Sequence, residues 1–220
     1  MARVAPPQFR ASPKVCVYCG NAATTRDHVP PRAVFVPPVP NNLKTVPACR
    51  TCNENLARID QEFVPSAMLA ASNRNPQMLA IFQREVMPKA WKNRRLHRDI
   101  LATEVPVAYS VETREPTLFM LGVPYPPMAA MAVRLARAFH WDEQREILPA
   151  DVPIQPLVIE DLDHFEGKSF PWQQRNIGDH FHYGFCAVPD RPHVAVWYFV
   201  FYEGLLLTAW VGFSPDAADQ

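Results

Sequence analysis

Apolar residues recur at helical spacing in two stretches of this chain and alternate with polar ones in several others. Met78, Leu79, Phe82 and Val86 share one helical face behind Asn75-Pro76, a capping side chain followed by a proline at the first helical position, and the pattern predicts a helix that stops near Met87-Pro88. Met128, Met131, Leu135 and Phe139 form a second stripe, which predicts a core-facing helix from about Pro127 to Trp141. The rest of the second half reads as β: Val105 to Val111, Thr117 to Leu121, Val152 to Glu160, Phe181 to Val188, and a hairpin of Val194 to Tyr202 with Leu205 to Phe213. These strands should form an antiparallel sheet with the stripe-bearing helix packed on one face.

The first half is punctuated differently. PPRAVFVPPVPNN denies helix and central strand alike, so it reads as an extended loop between two short strands, one ending near Asp27-His28 and one around Leu43 to Val46. A helix should begin at the second cysteine pair and run to about Phe63. No internal repeat breaks the α+β pattern, and residues 1–15 read as a flexible arm.

The apolar run from Val194 to Phe213 is long enough to span a bilayer, but Glu203-Gly204 at its centre favours a hairpin turn over a membrane helix. The opening MARVAPPQFRASP lacks the uninterrupted apolar stretch of a signal peptide, from which a cytoplasmic protein is expected. Net charge is zero, yet residues 1–100 carry 15 Lys+Arg against 6 Asp+Glu and residues 101–220 carry 7 against 16. A basic half suits a polyanionic partner.

Candidate chemistry sits in the basic half. Cys16-x-x-Cys19 and Cys49-x-x-Cys52 are two knuckles whose thiolates can close a tetrahedral zinc site with no open position, which makes that site structural. The 29 residues between the pairs exceed a zinc-ribbon interval, so the zinc would tie together the ends of an excursion. Within it lie Arg26-Asp27-His28-Val29-Pro30 and Asn41-Asn42-Leu43, and Asn53 follows the second knuckle. Asp27 and Asn53 offer hard oxygen ligands suited to Mg²⁺ or Mn²⁺, while His28, adjacent on a strand, points the other way and is free to act as base. Such a pair can serve phosphodiester hydrolysis, with His28 deprotonating water and the ion neutralising the phosphate.

CVYCG, TRDHVPP and NNLKTVPACRTCN together resemble the HNH endonucleases with a zinc-binding frame, over residues 16 to 63. The resemblance implies an N-terminal zinc-stapled ββα-metal (HNH) domain at 16–65. A basic helical connector at 66–100 and an acidic α+β domain at 101–220 would follow it. It further implies His28 as general base, Asp27 and Asn53 as holders of the catalytic ion, Asn42 as a brace for the histidine, and DNA as substrate. Asn53 stands where the family name has a histidine, and Leu56 stands where many members carry a basic residue. Arg26, Arg32, Lys44, Arg50 and Arg58 are the candidate phosphate contacts. The alternative is a zinc-ribbon nucleic-acid-binding protein without catalysis.

Overall fold

The computed structural model describes residues 14–72, 76–90, 92–109, 113–114, 116–120, 125–159 and 171–213. The expected arm at 1–15 lies outside these residues except for its last two. Two short antiparallel strands come first, β1 (Thr25–Val29) and β2 (Lys44–Ala48), in register from Thr25 opposite Ala48 to Val29 opposite Lys44. The proline-rich segment between them makes only one turn of 3-10 helix, Arg32–Val34. Helix α1 (Arg50–Ser72) starts directly after β2. It runs past the expected stop at Phe63 and through Pro65, where the Ser66 hydroxyl donates back to the Glu62 carbonyl at 2.8 Å and an Ala-, Met- and Leu-rich run favours continuation.

The next helical pieces are α2 (Pro76–Ile81), a π-helical turn at Phe82–Val86, α3 (Met87–Ala90) and α4 (Arg94–Leu101), the last holding much of the basic stretch. A small hairpin, β3 (Val105–Tyr109) with β4 (Pro116–Met120), leads into α5 (Tyr125–Gln144). The main sheet is built from β5 (Ile154–Ile159), β6 (Gln173–Ile177), β7 (Phe181–Val188), β8 (Arg191–Phe201) and β9 (Leu205–Val211). It is antiparallel throughout, in the order β5-β9-β8-β7-β6. The long apolar run is thus the β8–β9 hairpin, and no helix among the described residues is long and apolar enough to cross a membrane.

Helix α5 packs against α1, β1 and β2 and against strands β5, β8 and β9 of the main sheet. Met128, Met131, Leu135 and Phe139 are all fully buried, as their stripe predicts. Phe139 stacks on Tyr183 at 4.1 Å between ring centroids, with Phe181 and Phe199 beside it on the sheet's inner face. The opposite side of the helix meets α1, β1 and β2, so Val17, Val29, Val46 and Phe63 from the first half belong to the same core cluster as Trp197, Phe201 and Leu207 from the second. One core serves both halves.

The β8–β9 turn also grips the proline-rich loop. Tyr202 and Glu203 both adopt left-handed backbone (φ 51 and 58), a conformation costly for residues with a side chain. Tyr202 is held there by its hydroxyl, which donates to the Val34 carbonyl at 2.9 Å and accepts from the Val36 amide at 3.1 Å. The turn that closes the sheet thereby fixes the loop between β1 and β2.

Candidate metal centre and the adjoining histidine

The first knuckle turns because Gly20 takes φ 78 and its amide reaches back to the Cys16 carbonyl at 3.0 Å. The Val17 amide bonds the Pro47 carbonyl at 3.1 Å, which lays the knuckle against β2. The second knuckle spans the start of α1, where the Cys52 amide donates to the Cys49 sulfur at 3.4 Å and the Asn53 amide donates to the Cys49 carbonyl at 3.0 Å. The four Sγ atoms lie within 4.8 Å of one another, as free thiols.

This geometry fits zinc. Four sulfurs at about 2.3 Å from a tetrahedral ion stand roughly 3.8 Å apart, and Cys19 Sγ to Cys49 Sγ is 3.7 Å. The amide of Cys52 lowers the Cys49 thiol pKa, whereas burial raises those of Cys16 and Cys52. The four-cysteine cluster is a compatible site for a metal such as zinc. Among the described residues it is the only group of three or more His, Cys, Asp or Glu side chains that converges in this way.

Strand alternation separates Asp27 from His28: the aspartate is buried at 4 % exposure and the histidine is exposed. Arg26 shares the outward face with His28. Its Nε donates to Thr45 Oγ1 at 2.9 Å and one terminal nitrogen donates to the Thr45 carbonyl at 3.1 Å, across from His28 in the register. Arg32, Arg50 and Arg58 are also exposed, while Lys44 is half-buried and pairs with Asp142 at 3.2 Å.

On the inward face Asp27 meets a residue from the far half of the chain. Arg134 of α5 donates from Nη2 to Asp27 Oδ1 at 2.6 Å and from Nε to Oδ2 at 3.0 Å, a two-point pairing. Tyr18, inside the first knuckle, donates to the same Oδ2 at 2.5 Å. The remaining terminal nitrogen of Arg134 bonds Asp60 on α1, and Nη2 also faces the His28 carbonyl at 3.4 Å. Burial works against the guanidinium charge, but the carboxylates of Asp27 and Asp60 outweigh it and raise its pKa. Burial raises the Asp60 carboxyl against the pull of Arg134, and burial together with the charge of Asp27 pushes the Tyr18 hydroxyl well up.

Asp27 thus accepts three hydrogen bonds, two on Oδ2 and one on Oδ1. Asn53 is half-buried in the first turn of α1. Asn42 is exposed and ties the excursion to the β6–β7 turn: its amide donates to the Asn176 carbonyl at 3.1 Å and its oxygen accepts from the Gly178 amide at 3.1 Å. Its hydrogen bonds brace the loop against the main sheet rather than the histidine ring.

Tyr18, Asp60 and Arg134 were not among the sequence candidates. The one signal in the sequence is the position of Arg134 within the buried face of α5, three residues after Met131 and one before Leu135. A second buried titratable group, His140, also lies on α5. Its ring nitrogens have no hydrogen-bond partner among the described residues, and burial, with the nearby charge of His193, lowers its pKa from 6.5 to about 4.

Comparison with family models, with curated proteins and with solved structures finds no match to this chain.

Proposed function

We propose that this protein is a zinc-framed nuclease of the ββα-metal (HNH) type that hydrolyses DNA phosphodiester bonds, with His28 as general base. The observation that carries the reading is the exposure of His28 at the end of an antiparallel pair that runs directly into α1, with a cysteine knuckle at each end of the segment. A base must be reachable by solvent water and by a phosphate too large to enter the core, and His28 meets that condition. It takes a proton from the water whose oxygen attacks phosphorus, while the bond from phosphorus to the 3′ oxygen breaks and that oxygen leaves, protonated by solvent, to give 5′-phosphate and 3′-hydroxyl ends. Arg26, on the same face and anchored through Thr45, lies where it can offset charge on a nonbridging oxygen. Arg32, Arg50 and Arg58 are exposed and available to the flanking backbone. Asp27 is assigned no divalent ion, because Arg134 and Tyr18 hold its carboxylate.

The same commitment of Asp27 favours a second reading, a zinc-framed module that binds nucleic acid without cutting it. Incubating zinc-loaded protein with supercoiled plasmid in Mg²⁺, Mn²⁺ or EDTA separates the two. Accumulation of nicked circles supports the nuclease, and retarded but intact plasmid under every condition supports the binding module.

A further inference from the structure

Asp27 and Asp60 are carried by β1 and α1, and the cation that lies between them is supplied by neither element. It is Arg134, whose side chain is 1 % exposed and which lies on the buried face of α5. Three of its nitrogens contact the two carboxylates, two on Asp27 and one on Asp60. Tyr18 closes the remaining approach to Asp27 Oδ2 from the knuckle side.

We infer that Arg134 is the resident cation of the Asp27–Asp60 pair and takes the place that a divalent ion would need there, so that Asp27 is not a metal ligand in the folded protein. A planar guanidinium satisfies two carboxylates at fixed angles and keeps its charge at any pH the fold survives. For a divalent ion to enter, the guanidinium would have to leave a site where it is already paired with two carboxylates. The inference concerns binding, and it stands whether or not the chain cuts DNA.

Mn²⁺ titration of the zinc-loaded full chain, followed by electron paramagnetic resonance, tests it. Wild type and Asp27→Asn, which preserves the shape of the side chain, should bind Mn²⁺ indistinguishably. Arg134→Gln leaves two carboxylates facing a neutral amide and should gain a Mn²⁺ site at least about tenfold tighter than any in wild type, lost again in the Arg134→Gln/Asp27→Asn double variant. The decisive comparison needs no Arg134 variant, so poor folding of Arg134→Gln does not blunt it. If Asp27→Asn weakens Mn²⁺ binding tenfold or more while Arg134 is intact, Asp27 is a metal ligand and the inference is overturned. A folded Arg134→Gln protein with no new site overturns it equally.

Discussion

Arg134 and Asp27 are 107 residues apart in sequence and joined by two hydrogen bonds in the core, with 1 % and 5 % of their side chains exposed. The pair ties the sheet-bearing half of the chain to the strand that carries His28. It also brings together the basic and acidic halves that the charge distribution separates, as does the Lys44–Asp142 pair at 3.2 Å.

Arg134→Met should cost about 3–5 kcal/mol of stability, because it abandons buried carboxylate charge, whereas Asp27→Asn should cost less, since the amide oxygen still accepts from Arg134. Urea unfolding of both variants checks this order. Equal losses from the two would mean that the neutral amide recovers none of the pairing with Arg134, contrary to this order.

Purified protein should hold one zinc per chain, and Cys49→Ser should impair folding, because metal binding and folding are one process in a segment stapled at both ends. Native mass spectrometry reads the stoichiometry. A well-folded, monodisperse sample with no metal would contradict the assignment.

The acid side of the stability profile should carry the signature of His140. Its folded pKa, about 4, lies below the unfolded value of 6.5, so between these limits the unfolded chain binds more protons and stability falls as pH drops. A shift of this size corresponds to a contribution on the order of 3 kcal/mol, fully present above pH 6.5. His140→Leu should flatten the difference between urea midpoints at pH 7 and pH 5. An unchanged difference would place the titration elsewhere.

A fragment of residues 1–100 should not fold cooperatively, even with zinc. It lacks Arg134 for Asp27 and Asp60, and Phe201, whose ring meets Phe63 edge-on at 5.3 Å. Near-UV circular dichroism and thermal melting of the fragment check it, and a sharp transition would contradict the shared core.

The β8–β9 hairpin and the stripe on α5 were legible because alternation and helical spacing report burial on one face directly. β6 was not, since QQRNI is exposed at every position but the last and has no apolar rhythm to read. α1 runs on beyond the expected Phe63 because Pro65 is accommodated within it and the residues after it are strong helix formers. The knuckles were legible from spacing alone. The partners of Asp27 were not, because an ion pair between β1 and α5 depends on a packing arrangement that no local pattern encodes.

The most direct test of the proposed activity is the nicking rate of His28→Ala beside wild type, at equal zinc content and with DNA affinity measured on both. A general base acts in the transition state and adds little to ground-state binding, so turnover should fall by a factor on the order of 10² to 10⁴ while affinity and zinc content hold. Plasmid nicked by His28→Ala at the wild-type rate would contradict the account, as would wild-type protein that binds DNA and never cuts it, with or without divalent ions.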